Sequence, residues 1–178
     1  MNIFYLDANP EKCAKYHCDK HVVKMIIEYA QLLCTSHRIC DGKEYIDMTK
    51  NNRKIKRYKL DNKKLDKELY LASHINHPSN IWTRTNSSNY MWLYEMWRCL
   101  CDEYTKRYGK VHLTFKKLDK YIKCPPKNIR YGSKLTKMAL AMPDEVKLDC
   151  PVKSYRNFYR HNKVKFAEWK YSQKPKWM

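Results

Sequence analysis

The sequence predicts a mainly α-helical single domain with one long buried helix near its N-terminus, and three observations predict it. Asn9-Pro10-Glu11 supplies a capping residue, a proline at the first helical position and an acid in the first turn. After it nothing interrupts a helix from Pro10 to about His37, roughly 28 residues. Further on, Tyr90, Leu93, Trp97, Leu100 and Tyr104 recur in alternating steps of three and four until Gly109 stops them, the spacing of a helix facing a core. The 178 residues suffice for one hydrophobic interior.

Taken in order, Asn2 to Leu6 is short and apolar and reads as a small strand or an extended lead-in. After the first helix, Asp41-Gly42 ends the apolar spacing. Lys43, Lys50, Arg53, Lys54, Lys56, Arg57 and Lys59 then crowd together, so 41–62 is expected to be a basic, flexible insertion. Leu65, Leu69 and Ala72 predict a second helix over Asn62 to Ile75, with His77-Pro78 beyond its end. The third helix starts near Ser87 or Ser88, and a fourth spans Thr114 to Lys123, closed by Cys124-Pro125-Pro126. Lys127 to Leu148 reads as irregular. A last helix is expected from Pro151 to about Tyr171, and Lys174-Pro175-Lys176-Trp177-Met178 cannot extend it.

Lys plus Arg number 37 against 18 Asp plus Glu, a formal net charge of +19, and a polyanion is the natural partner of such a surface. With glycine only at 42, 109 and 132, neither a Walker phosphate loop nor a G-x-G-x-x-G turn can be written, so no nucleotide cofactor, and no cofactor of any kind, is expected. No apolar run approaches the roughly 20 residues that span a bilayer, and the first ten residues lack signal-peptide order. The expectation is a soluble, intracellular monomer without a membrane partner. An aromatic content of 13% favours base stacking and a packed core over a polybasic membrane tail. Eight cysteines, several of them inside apolar helical patterns, read as reduced thiols.

The first helix carries a polar line. At about 100° per residue, His17, His21, Lys24, Glu28, Gln31 and Thr35 fall within an arc about 80° wide. From Val22 onward almost all the remaining circumference is apolar, so the helix should be buried and the line needs a reason. It is either the solvent edge of an amphipathic helix, or an active-site wall carrying two imidazoles, an amine and a carboxylate suited to proton transfer. A third reading is a metal site, because Cys13, His17 and His21 recur every four residues and could ligate zinc with a fourth group from elsewhere. His74 and His77 either line a cleft or are solvated. Trp82, Arg84 and Trp92 mix cation and ring as single-strand or flipped-base sites do, or else belong to the core. Arg107, Lys110 and His112 around Gly109 either answer a helix dipole or hold a phosphate.

The order of segments resembles the phage pyrimidine-dimer DNA glycosylases of the endonuclease V family and their uncharacterised viral relatives. The resemblance rests on the apolar N-terminal segment leading into a charged helix, and on His77 before an aromatic helix ending in Glu103 and Arg107-Tyr108-Gly109. Pro143-Asp144, Arg156, Lys163 and the Lys174-Pro175-Lys176-Trp177 finish complete it. It implies a helical enzyme in a viral setting, acting in the host cytoplasm or nucleoid. Such an enzyme flips a base out of duplex DNA, cuts the glycosidic bond and can nick the abasic site, using an N-terminal amine and a helix carboxylate. Asn2 is too large for ready trimming of the initiator methionine, so the amine would be that of Met1.

The leading expectation is therefore a DNA N-glycosylase, with abasic-site lyase activity in reserve, in DNA repair or viral DNA metabolism. Glu28 would stabilise the sugar cation or activate water, His21 or Lys24 would move protons, and His17 and Met1 complete the candidate set. Damaged duplex DNA would be held by Lys20, Arg53, Lys54, Lys56, Arg57, His77, Trp82, Arg84, Arg107 and Lys110. The competing readings are a non-enzymatic nucleic-acid-binding accessory protein and a zinc-dependent nuclease.

Overall fold

A computed structural model describes residues 1–178. It is mainly helical, with one two-stranded sheet. Helices α1 (Pro10–Tyr16) and α2 (Asp19–Asp41) are followed by strands β1 (Lys43–Met48) and β2 (Lys54–Lys59). Then come α3 (Lys63–Glu68), α4 (Pro78–Thr85), α5 (Ser87–Tyr108), α6 (Leu113–Ile122), a 3₁₀ turn at Asp144–Val146 and α7 (Pro151–Asn162). Helices α2 and α5 form the central pair; α1 and α4 pack on α5, and α4 and α6 on α2. One cluster of buried apolar side chains runs through all of it, from Ile3 and Leu6 through Val22, Ile26 and Leu33 to Trp97, Leu118 and Tyr159.

The predicted 28-residue first helix is two helices. It breaks at His17 and Cys18, whose backbones are extended. The carbonyls released there are claimed from afar: Arg107 Nη2 donates to Lys15 O (3.0 Å), Arg107 Nη1 to His17 O (2.9 Å), and Trp169 Nε1 to Tyr16 O (3.2 Å). The break thus satisfies groups a helix end would otherwise leave orphaned. Asn2 to Leu6 forms no strand, and its Ile3, Phe4 and Leu6 belong to the core cluster, Ile3 and Leu6 fully buried.

The expected basic loop at 41–62 is an antiparallel hairpin, Lys43 opposite Lys59 and Met48 opposite Lys54, with Asn52 in the left-handed region (φ 55°) at its turn. Asparagine tolerates that conformation better than most residues. Arg38 roots the hairpin. Its guanidinium, 2% exposed, donates to Tyr58 O, Asp66 Oδ1, Asp66 O, Leu69 O (each 2.8 Å) and Tyr70 O (2.7 Å). Because those carbonyls serve Arg38, the predicted helix to Ile75 stops at Glu68. Residues 78–85, to which the sequence pattern assigns no element, form α4: Pro78 is its first residue and the His77 Nδ1 accepts from Ser79 N–H (3.2 Å) as its cap. Helices α5 and α6 stand where the periodicity put them. The last helix ends at Asn162, nine residues early, because the chain turns at Lys163 to bring Phe166 against His21 and Trp169 under Tyr16.

Candidate functional site

The polar line predicted for the first helix does not act as one wall; the break at His17 and Cys18 leaves His17 outside α2, and the rest divides by depth. His17 is fully buried. Its Nδ1 lies 2.8 Å from Cys13 O, which can only accept, so Nδ1 carries the proton and Nε2 accepts from the Tyr29 hydroxyl (2.8 Å). The Tyr29 oxygen in turn accepts from Phe4 N–H (3.2 Å), closing a relay that fastens the N-terminal segment to α2. Burial pushes His17 down to about 4. With both nitrogens engaged and no open side, His17 cannot serve as a proton carrier for a substrate, contrary to expectation.

His21 is also removed from that role. It is 5% exposed, stacked on Phe4 (centroids 4.3 Å apart), met edge-on by Phe166, and hydrogen-bonded through Nδ1 to the Tyr159 hydroxyl. Burial, reinforced by the neighbouring His17, Lys163 and Lys24, lowers it to about 2, so it stays neutral and weakly basic. Thr35 is buried as well and accepts from Ser73 N–H (3.3 Å). The zinc reading also lacks its ligands. The Cys13 thiol donates to Phe4 O (3.2 Å) and accepts from Leu6 N–H (3.3 Å), the His17 nitrogens are taken, and no three His, Cys, Asp or Glu side chains converge on a shared point.

What remains at the surface is a compact ion cluster. Glu28 sits on the middle turn of α2, with Lys24 one turn before it. The Lys24 Nζ is 3.3 Å from one carboxylate oxygen, and the α-amine of Met1 is 3.9 Å from the other. The Met1 side chain is only 5% exposed, whereas that of Glu28 is 21% exposed and that of Lys24 69% exposed. Asn2 anchors the segment behind the amine, donating from Nδ2 to Ala141 O (2.7 Å) and accepting the Tyr155 hydroxyl at Oδ1 (2.9 Å). His77 belongs to the same neighbourhood: its basicity falls first through burial and then through the positive charges of the N-terminal amine and His74, while Glu28 pulls the other way. Its Nδ1 caps α4, which leaves Nε2 as the protonated nitrogen of the neutral ring.

Beside this cluster opens a cleft with two lobes. One, about 670 Å³, is lined by Ile55, Lys56 and Arg57 of β2 and by residues 72–77. The other, about 490 Å³, is bounded by Ile27 and Gln31 of α2, Arg57, and residues 70–73. Arg57, Ala72 and Ser73 line both, and His77 at one end is the residue that senses the Met1 amine.

The expected nucleic-acid contacts separate in the same way. Arg53, Lys54 and Lys56 are exposed on the hairpin, Lys20 at the head of α2 and Lys110 after α5. Arg107 is not available: its side chain has no exposed surface and its donors go to Glu103, Asp19, Lys15 and His17. Trp82 is core, 5% exposed, with Nε1 on Thr136 O (3.3 Å) and its ring edge-on to Trp92. Arg84 is half-buried and donates to Asn80 Oδ1 within α4 (3.0 Å). The sequence did not single out Tyr29 and Tyr159, which hold the two histidines, nor Ser73 on the cleft floor. No family model, curated protein or solved structure matches the chain.

Proposed function

We propose that this protein is a DNA-processing enzyme that excises a flipped base and then cleaves the abasic strand, with the Met1 amine as nucleophile and Glu28 as its proton acceptor. The observation that carries the reading is the Met1 amine held 3.9 Å from the Glu28 carboxylate by a buried methionine side chain and an anchored Asn2. An amine placed this way beside a carboxylate is preorganised for attack. The net charge of +19 and the basic hairpin beside the cluster support a nucleic-acid substrate.

In this mechanism the neutral amine forms a bond to C1′ of the deoxyribose as the C1′–base bond breaks. The base leaves with the bonding pair and takes a proton from water, and the amine proton passes to Glu28. As the ring opens, Glu28 passes that proton to O4′ and a protonated imine forms between Met1 and C1′. Removal of a C2′ proton then expels the 3′ phosphate by β-elimination. Lys24, paired with Glu28 at 3.3 Å, fixes the carboxylate orientation. The carboxylate is the only one in the cluster, so the proton transfers fall to it.

Borohydride trapping on duplexes carrying an abasic site tests this. The expected outcome is a covalent protein–DNA adduct whose modified peptide contains Met1, and loss of at least about 100-fold in trapping by Glu28→Gln with DNA binding retained. A variant extended by residues ahead of Met1 should bind and not trap. An adduct mapping to a lysine, or binding across damaged and abasic duplexes without any adduct or product, overturns the assignment; the second outcome favours a binding module.

A further inference from the structure

Nine arginines occur in the chain. Five of them, Arg38, Arg57, Arg84, Arg107 and Arg156, are withdrawn from full exposure, and four of those five spend their guanidinium on protein acceptors: Arg38 and Arg107 on several, Arg84 on Asn80, Arg156 on Leu6 O and Asp7. Arg57 is the exception. It is 21% exposed, its guanidinium makes no hydrogen bond within the protein, its Nε is buried, and its one ion-pair partner, Asp47, stands 3.8 Å away, beyond hydrogen-bond distance. A half-buried guanidinium left in that condition is costly unless something else completes it.

The surroundings point to what that is. Arg57 lines both lobes of the cleft, and neither lobe contains a carboxylate; the cations there are Lys56 and Arg57, accompanied by His74 and His77. The other sizeable clefts neutralise themselves, with Asp61 and Asp66 among the lysines at the hairpin root, and Glu11, Asp102 and Glu103 among the cations between α1 and α5. Ser73, which lines both lobes together with Arg57, has a second buried polar atom without a partner, its Oγ. The Ser73 backbone is pinned on both sides, N–H to Thr35 Oγ1 (3.3 Å) and carbonyl to Asn80 Nδ2 (2.9 Å). The next residue, His74, is held at φ 48°, where non-glycine residues are strained, with its carbonyl accepting from His77 N–H (2.9 Å). A fixed floor bearing a hydroxyl without a hydrogen-bond partner, in a cleft shared with a guanidinium that makes no hydrogen bond and lined by no carboxylate, is the build of an anion site.

We infer that Arg57 and Ser73 bind one backbone phosphate of the strand that carries the flipped nucleotide, so that the hairpin and the 72–77 segment hold that strand against the Met1–Glu28 pair. The inference rests on the DNA-enzyme reading for its ligand. The strand lies along the cleft from Gln31 towards His77, with Ile27 and Leu71, both largely exposed, beside its sugars and bases. Arg57 acts here as a positioning residue. It touches the phosphate and not the reacting carbon.

The test is equilibrium binding of wild type and Arg57→Ala to a duplex containing a tetrahydrofuran abasic analogue, over a range of salt, combined with single neutral methylphosphonate linkages stepped through the damaged strand. Arg57→Ala is expected to weaken binding about tenfold and to lower the slope of log K against log salt by about one. At one linkage near the analogue, the neutral substitution should weaken wild type by a similar factor and Arg57→Ala by no more than about twofold further. Arg57→Lys should recover part of the affinity, and Ser73→Ala should show the same linkage preference with a smaller loss. If Arg57→Ala does not fold, Arg57→Gln gives the same readout. Unchanged affinity and slope, or losses that simply add at every linkage, overturn the inference. Borohydride trapping separates the two ideas: a protein with this binding signature and no Met1 adduct refutes the catalytic reading alone, whereas Met1 trapping with no Arg57-dependent linkage refutes the phosphate site alone.

Discussion

Acid should unfold this protein well above the pH at which its carboxylates are neutralised, because three of its histidines are buried in neutral form. Burial lowers His17 to about 4, His21 to about 2 and His37 to about 4, and each has 5% exposure or less. In the unfolded chain each titrates near 6.5, so between that value and the folded one the unfolded state binds more protons and stability falls as pH falls. The contribution is complete above about pH 7. At about 1.36 kcal/mol per pH unit, each histidine has lost about 2 kcal/mol by pH 5, about 6 kcal/mol for the three. A typical domain has only about 5–15 kcal/mol to lose. Urea unfolding followed by far-ultraviolet circular dichroism at pH 7, 6 and 5 measures this directly. Replacing His37 by glutamine, which removes one titrating group, should flatten the slope by about a third. A loss below about 2 kcal/mol between pH 7 and 5 would refute the reasoning, since these rings would then be accepting protons inside the fold.

Arg38→Ala removes the buried guanidinium that ties the hairpin root to the 66–70 segment and should cost about 3–5 kcal/mol, read as a melting temperature lower by roughly 6–20 °C, together with faster tryptic cutting between residues 43 and 59. A shift of less than 2 °C would show that the hairpin holds itself. The glycines rank by cause: Gly109 sits at φ 67° with free space around it, so alanine there costs about 1 kcal/mol, whereas a Cβ at Gly132 would meet Asn86 at 2.5 Å, the residue whose side chain caps α5 through Asn89 N–H (2.8 Å). Gly132→Ala should therefore be the more damaging of the two by thermal melting; the reverse order would disprove the packing argument.

Elements whose ends are written locally were legible. The start of α5 near Ser87, its stop at Gly109 and the Cys124-Pro125-Pro126 closure after α6 needed only neighbouring residues. The break at His17 and Cys18 was not, because its cause lies in Arg107 and Trp169, about 90 and 150 residues away. Helix α4 was missed because proline both ends and begins helices, and the deciding signal was the imidazole of His77 as a cap. The hairpin had one local mark, Asn51-Asn52 at a position needing positive φ. At the site, helical arithmetic correctly aligned Lys24 and Glu28. It could not see that Phe4, Tyr159 and Phe166 cover the turn before them.

The eight cysteines are all unpaired, and half of them, Cys13, Cys18, Cys34 and Cys101, are buried; burial raises their pKa values, to about 12 for Cys13 and Cys34. Thiols kept protonated and enclosed react slowly with electrophiles. Cys124 alone is exposed, at the foot of α6 and three residues before Lys127, whose backbone N–H reaches Asp41 (2.9 Å) where α2 hands over to the hairpin. The molecule thus carries a natural attachment point for a single fluorophore, close to the base of its one arm and remote in sequence from Met1, so that a dye there would report any change in the seating of that arm as a change in light.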